Sequence, residues 1–349
     1  MCCLYIILYM IPVIICGGVG TKMWPLSSPK LPKHFLPLIR GRSLFELNWE
    51  ILRKRFAPEE IYLQTNAQQA QIAKKQVPEI VTENVFIEPA SLNHGPATGL
   101  AAALLLKKGK GDELFFLIQV DNLRVPGKNI FKMMDLAEKL GGQTHKYITG
   151  GFVPNRFIKG VDFLLKGDLA GEQDGVKIFK VAEYVDRNEE VKINANLSTG
   201  RLLVHANHTC MTPNDLLKMY QEYRSDWYEP LKKIAQGADI VAEYVKMPKG
   251  AIEEITKQVH TKGDSLVIEL PFEWTDFGTW ESLEKYYLAN GITPKNGGVV
   301  EIEAKNNFCV SDTNKKIAIL GLDNVIVVHG KDGVLVCRRD LSGRVGEIV

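Results

Sequence analysis

The chain has 349 residues, 45% hydrophobic and 24% charged, and its 43 Lys+Arg against 41 Asp+Glu leave a formal charge of +2. Length predicts two domains, and the composition is that of a globular chain able to bury a large core. Dispersed lysines without a basic field exclude the electrostatic footprint of nucleic-acid binding, so no nucleic-acid partner is expected. The six cysteines (Cys2, Cys3, Cys16, Cys210, Cys309 and Cys337) form no CxxC pair and no Cys/His zinc spacing. They read as reduced, mostly buried thiols of a cytoplasmic protein.

Residues 1–21 carry no charged side chain, which raises a membrane helix as one reading. Pro12, the missing basic flank and the glycine loop that follows argue instead for IPVIIC as a buried first strand, with no membrane partner. Residues 1–9 are then an apolar extension and Met10 the functional beginning.

The next stretch, GGVGTKMWPLSSPKLPKHFLPL (Gly17 to Leu38), concentrates glycine, lysine and proline directly behind that strand. Glycines let main-chain N–H groups approach an oxyanion, and a following lysine adds a full charge suited to a polyphosphate. The spacing fits neither GxxxxGK[ST] nor GxGxxG, so the P-loop and dinucleotide-loop readings fail. Taken alone, the stretch is also compatible with a plain strand-to-helix turn.

Short apolar runs then alternate with helical patterns to about residue 290. Ser43 and Glu46 have capping-box spacing ahead of a helix, and IYLQT, NVFIE, LFFLIQV and SLVIEL read as strands. A helix is expected from Pro96 through Leu106 and another around NIFKMMDLAEKL, closed by Gly141-Gly142. Thr212, Pro213 and Asp215 open a long amphipathic helix that Pro230 should bend or split. Such alternation predicts an α/β fold with a mostly parallel sheet. From NGITPKNGG onward, β-rich runs at roughly ten-residue spacing predict a separate all-β tail, too small to stand without docking or self-association. The expected division is 1–9 extension, 10–293 α/β domain and 294–349 β-rich domain.

Two acids stand where chemistry is expected. Asp121 ends the strand LFFLIQV, and the carboxyl ends of strands border the ligand crevice of an open α/β sheet, although a strand-ending Asp is equally a turn former. Asp276 lies in FEWTDFGTW, between tryptophans that could hold a carboxylate still. Two carboxylates with phosphate oxygens and water make a normal Mg²⁺ shell.

GGVGTKMWPLSSPKLPKHFLPL, EPASLNHGPATGLAAALL, the strand-end Asp121 and WTDFGTW, in this order, resemble the mannose-1-phosphate guanylyltransferase family of sugar-phosphate nucleotidylyltransferases over about residues 10–290. The β-rich tail is similar to that family's C-terminal segment, a short left-handed β-helix. The resemblance implies a Rossmann-like nucleotidylyltransferase domain that moves GMP from GTP to α-D-mannose 1-phosphate with Mg²⁺, releasing pyrophosphate. It implies that Gly17, Gly18, Gly20 and Thr21 hold the nucleotide, that Lys22 and Lys33 oppose its charge, and that Glu88, Pro89 and Asn93 line the base pocket. It further implies Asp121 and Asp276 as metal ligands, and Arg187, Gly160 and Asn207 as sugar-phosphate contacts.

Departures from the family pattern are also legible: Lys22 and Ser28 stand where arginines are expected, and Leu92 and His94 replace the base motif's Arg and Thr. GVDFL, DRN (Asp186, Arg187, Asn188) and VHANHTCM replace the sugar-binding strings, leaving His205 and Asn207 as polar candidates for the sugar hydroxyls. Two other readings stay open: a nucleotidylyltransferase for another hexose 1-phosphate or base, and a nucleotide-binding homologue with impaired catalysis. A homodimer through the β tail is a further open expectation.

Overall fold

In a computed structural model, residues 10–349 are described apart from Val19 and Lys159, and of residues 141–143 and 273–276 the backbone alone is described. The 1–9 extension lies outside the described residues. IPVIIC forms β1 (Ile11–Cys16), buried at every position. A Val/Ile run covered on both faces is what a central parallel strand requires. Alternate β1 side chains face two different cores, Ile14 and Cys16 one and Ile11 and Val13 the other.

The chain continues through α1 (Leu44–Leu52), β2 (Tyr62–Thr65), α2 (Ala67–Gln76), β3 (Val85–Ile87), α3 (His94–Lys107) and β4 (Phe115–Gln119). Strands β3, β2, β1 and β4 lie side by side and parallel. The Ser43 capping box is present: Ser43 Oγ accepts from the Glu46 amide at 3.1 Å and the Glu46 carboxylate accepts from the Ser43 amide at 2.8 Å.

Beyond β4 the sheet becomes mixed. After β5 (Asn122–Val125) come α4 (Ile130–Thr144), β6 (Tyr147–Phe152), β7 (Phe163–Gln173), β8 (Val176–Val185), α5 (Glu190–Asn196), β9 (Leu202–His205) and β10 (Cys210–Met211). Next are α6 (Pro213–Tyr223), α7 (Ser225–Ala235), α8 (Ile240–Tyr244), α9 (Glu253–Lys262), β11 (Ser265–Glu269), β12 (Glu273–Asp276) and α10 (Trp280–Ala289). The ten-stranded sheet runs β11-β8-β7-β9-β6-β10-β4-β1-β2-β3. Strand β11 is parallel to β6, while β7–β10 are antiparallel to their neighbours.

Two helix boundaries differ from the sequence expectation. Helix α4 runs on through Gly141-Gly142 to Thr144. The amphipathic helix does split, but at Arg224, whose backbone leaves helical dihedrals (φ −146°, ψ 69°) while its guanidinium caps Asp226 and stacks 3.6 Å over the Trp227 ring. Pro230 sits inside α7 and forfeits only its own N–H bond there.

The tail coils. Strand β13 (Val299–Ile302) pairs in parallel with β15 (Ile317–Leu320), and β14 (Phe308–Ser311) with β16 (Val325–Gly330). Strand β17 (Gly333–Arg338) returns antiparallel to β16, and a 3₁₀ segment, Arg339–Glu347, follows. The tail has a small core of its own, Cys309, Ile317, Ile319, Val325 and Val327. It shares a second: Phe308, Val310, Ile326, Val328 and Val345 pack in the same cluster as Met23, Trp280, Leu283 and Tyr287. Arg339 forks the Glu284 carboxylate of α10 with two bonds of 2.7 Å. Among the described residues no helix is long and apolar enough to cross a membrane.

Candidate active site

The carboxyl ends of β1, β3 and β4 and the start of α3 border a cleft of about 190 Å³. Of the residues expected there from sequence, Gly17, Gly18, Lys33, Glu88, Asn93 and Asp121 line it together. The chain segments that carry them are far apart in sequence, and only the parallel strand order brings them side by side.

The glycines have separate geometric reasons. A Cβ on Gly17 would stand 3.2 Å from Glu88 Oε2, and one on Gly20 would stand 2.6–2.8 Å from Lys33 atoms while holding φ at +66°. Gly20 is thus the residue that lets the loop close onto Lys33. Ser27 Oγ donates to the Gly20 carbonyl at 2.7 Å and fixes that turn.

Lys33 Nζ lies 3.5 Å from Asp121 Oδ2. Asn122 Nδ2 is 3.4 Å from the other Asp121 oxygen, Oδ1. Behind them is a set that the sequence did not flag. Arg124, 2% exposed, donates to Asn48 Oδ1 at 2.7 Å and to the Gln119 carbonyl at 3.4 Å, and Asn48 Nδ2 donates to the Asn122 carbonyl at 3.1 Å. Burial pulls the Arg124 guanidinium down to about 10, against the opposing pull of the Asp121 charge. An arginine in the short apolar stretch NLRV right after Asp121 was the available signal.

At the other side of the cleft, Glu88 is buried and accepts from Tyr244 Oη at 2.9 Å. Burial raises its carboxyl pKa, partly countered by hydrogen bonds from Tyr244 and the Leu92 backbone. Tyr244 comes from α8, too distant in sequence to be linked to Glu88 by spacing. Asn93 holds φ +71° and its Oδ1 accepts from the His94 amide at 2.8 Å, which starts α3 two residues earlier than Pro96 suggested. The start of α3 faces the cleft, where the helix dipole favours an anion, although its first amides are already engaged, His94 by Asn93 Oδ1, Gly95 by the Gly250 carbonyl and Ala97 by the Asn93 carbonyl, and Pro96 has none. His34, a further lining residue, is held down to about 4 by burial, with the Gln69 bond and Asp121 charge pulling the other way.

Thr21, Lys22, Gly20 and Pro89 do not line this cleft. Lys22 is exposed, and a Cβ on Gly346 of the tail would stand 3.5 Å from its Cγ. Asp276 is placed by its backbone: β12 pairs antiparallel with β5 so that Asp276 stands opposite Asn122, beside Asp121. Its side chain lies outside the described residues. Among the described residues no group of three or more His, Cys, Asp or Glu gathers for a metal. One half-exposed carboxylate on the cleft with a second acid brought alongside by strand register still fits an ion that takes its other ligands from phosphate and water.

The residues expected from sequence to contact the sugar phosphate lie outside this cleft. Arg187 and Gly160 do meet, with Arg187 Nη1 donating to the Gly160 carbonyl at 3.1 Å. The guanidinium, however, forks Asp162, with Nε to Oδ1 at 2.9 Å and Nη2 to Oδ2, so Arg187 is already neutralised. Burial raises the Asp162 carboxyl, but bonds from Arg187 and Tyr184 outweigh it and hold it below the usual range. Asn207 lines a small adjoining pocket with His94, Gln119 and Thr209, while its Nδ2 donates to Glu253 at 2.9 Å. His205 is buried against Thr149, His260 and Tyr184 and does not line either pocket. Cys16, Cys210 and Cys309 are free and buried, as expected, and burial pushes the Cys16 thiol up to about 12.

Two family patterns match the chain: Nucleotidyl transferase over residues 11–155 and MannoseP isomerase/GMP-like beta-helix domain over residues 297–349. The class is therefore a nucleotidyltransferase fold closed by a β-helix domain. An Escherichia coli mannose-1-phosphate guanylyltransferase is 24% identical over 97% of this chain and 73% of its own length, and the Xanthomonas campestris xanthan biosynthesis protein XanB is 25% identical over 97% and 72%. A Thermus thermophilus crystal structure described as a mannose-1-phosphate geranyltransferase superposes with a TM-score of 0.80 at 21% identity, covering 97% of this chain and 98% of that one. The chain is thus similar along nearly its whole length to mannose-1-phosphate guanylyltransferases, the family its sequence motifs resemble, and carries a nucleotidyltransferase pattern and a beta-helix pattern in the same order.

Proposed function

We propose that the chain transfers a nucleoside monophosphate from a nucleoside triphosphate, GTP by preference, to a hexose 1-phosphate, α-D-mannose 1-phosphate by preference. A phosphate oxygen of the sugar attacks the α-phosphorus in line, the new O–P bond forms as the Pα–O bond to the β-phosphate breaks, and pyrophosphate leaves with that electron pair. The observation that carries this reading is the joining of Gly17, Gly18, Lys33, Glu88, Asn93 and Asp121 in one cleft beside the α3 N-terminus.

Main-chain groups of Gly17 and Gly18 receive the phosphates beside the positive end of the α3 dipole, and Lys33 offsets their charge. Lys22, on the outer side of the same loop, faces departing pyrophosphate. Thr21, Gly20 and Pro89 shape the loop and the base pocket. Glu88, anchored by Tyr244 through one oxygen and bonded by the Leu92 backbone, offers its remaining lone pairs to donor groups on a base edge. Guanine, with an imino and an amino donor side by side, suits a carboxylate best. Asp121 and Asp276 would hold Mg²⁺, which when bound supplies charge neutralisation on the triphosphate. Arg187, Gly160 and Asn207 border the sugar phosphate, with Arg187 acting through its partner Asp162 unless the fork opens.

Pyrophosphate release, measured with each NTP against mannose, glucose and N-acetylglucosamine 1-phosphates in the presence of Mg²⁺, tests the reading. Release with GTP and mannose 1-phosphate is expected. No release with any pair would overturn it, and preference for another pair would replace the substrates while keeping the chemistry.

A further inference from the structure

The outer face of the loop that follows Gly20 is covered by the C-terminal tail. Three tail glycines lie at the contact. A Cβ on Gly333 would stand 2.7 Å from the Trp24 indole, one on Gly330 would stand 3.0 Å from the Pro25 carbonyl, and one on Gly346 would stand 3.2 Å from Thr21 Oγ1. All three have ordinary negative-φ or extended backbones, so conformational need does not explain them. What they share is close approach to residues 21–26. Gly343, in the same 3₁₀ segment as Gly346, has nothing within 4 Å of its Cβ position.

The loop is gripped from its other side as well. Met23 is fully buried in a cluster with Val345 of the tail and Trp280 of α10, and Trp280 Nε1 donates to the Trp24 carbonyl at 3.0 Å. Residues 21–26 are thus a layer between the α/β domain and the tail. At its start is Gly20, which packs on Lys33, and Lys33 reaches Asp121 in the cleft. Tail, loop, Lys33 and Asp121 form one contiguous series of contacts.

We propose that the C-terminal β-helix is a positioning element for the nucleotide site: by seating residues 21–26 against Gly330, Gly333 and Gly346, it fixes the glycine loop and Lys33 for the triphosphate. Gly346 is accordingly a positioning residue, although it lies outside the cleft. The inference rests on the nucleotide reading of that cleft.

Gly346→Leu in the full chain, with Gly343→Leu as its matched control, tests it. The Gly346 variant is expected to weaken direct binding of GTP and to lower turnover, each by roughly tenfold to a hundredfold, while the Gly343 variant behaves as wild type. A folded Gly346 variant that binds and turns over GTP like wild type overturns the proposal. Should that variant not fold, hydrogen exchange on the wild-type chain gives the same decision. Saturating GTP is expected to slow exchange in residues 339–347 together with residues 17–33, and slowing confined to 17–33 overturns the coupling. If the wild-type chain binds no GTP by either measurement, the nucleotide reading itself fails and the coupling with it, an outcome distinct from GTP binding without a response in the tail.

Discussion

The two ends of the proposed site, nucleotide and sugar, are built in different ways, and only the first lines the cleft. At the nucleotide end, β1, β3 and β4 run parallel, and their carboxyl ends deliver Gly17, Glu88 and Asp121 to one place from short stretches that each contain their own glycine, proline or cap. At the sugar end, β7, β8, β9 and β10 are antiparallel, and the polar groups there are already spent on one another: Arg187 on Asp162, Asn207 on Glu253, His205 on Thr149. The nucleotide end turns a carboxylate, a lysine and a helix N-terminus toward the cleft, whereas at the sugar end the charged groups are paired and only neutral atoms, such as Asn207 Oδ1 and His205 Nδ1, stay buried without a hydrogen bond. On the proposed function, selectivity for the sugar comes either from opening those pairs or from the few groups of the small adjoining pocket.

The largest effect expected from this contrast is at Asp121. Its carboxylate is 45% exposed and touched by Lys33 at 3.5 Å, so Asp121→Asn should leave the thermal midpoint nearly unchanged. Turnover should drop about a hundredfold or more, close to 3 kcal/mol of transition-state stabilisation. Steady-state kinetics with a melting curve on the same sample decide it; wild-type turnover would remove Asp121 from the site.

At the sugar end the order of effects should reverse. Arg187→Met strands Asp162, whose side chain is 4% exposed, and should cost stability of about 2 kcal/mol, less than a fully buried pair because the arginine is 43% exposed. GTP binding should be unchanged. Denaturant titration and direct GTP binding read the two separately, and a weakened GTP affinity would mean that the two ends are not independent.

Much of the nucleotide end was legible because its signals are local. Positive-φ glycine, a strand-ending acid, a helix cap and a proline-stiffened loop are all properties of a few adjacent residues; Gly17, Gly18 and Asp121 line the cleft and the Ser43 box forms, while Gly20 turns the loop without lining the cleft. The unread parts depend on distant partners. Nothing near Glu88 announces Tyr244, and nothing near Arg187 announces that Asp162 neutralises it. The mixed half of the sheet was hidden for the same reason, since strand direction follows from pairing rather than from composition. The helix splits at Arg224, whose guanidinium is held by the Asp226 carboxylate and the Trp227 ring, while Pro230 is accommodated inside α7.

A smaller effect is expected at Arg124, which bears on the nucleotide end from behind. Arg124→Met frees Asn48 and the Gln119 carbonyl and loosens the turn carrying Asp121, although Arg124 itself does not line the cleft. The half-saturating Mg²⁺ concentration should rise about tenfold, or 1.4 kcal/mol, with the affinity for sugar phosphate unchanged. An Mg²⁺ titration of turnover, repeated with Arg124→Lys to restore charge without the fork, distinguishes position from charge.

The mildest test puts one histidine from each end on the same axis. Burial holds His34 and His205 down to about 4 from 6.5. In the unfolded chain both take up protons as pH falls through 6.5, while in the folded chain they stay neutral until about 4, so the unfolded state gains protons first. Stability is therefore full above 6.5 and is lost as pH falls toward 4, by up to about 1.4 kcal/mol per pH unit for each histidine. His205→Gln should flatten that acid limb regardless of ligand. His34→Gln should flatten it in the free protein and less in the presence of a bound triphosphate, because an anion beside Lys33 and Asp121 would already lift the His34 pKa toward its ordinary value. Denaturant midpoints across this pH range, with and without GTP, separate the two: an equal ligand response at both histidines would mean the anion does not bind at the Lys33 end of the cleft.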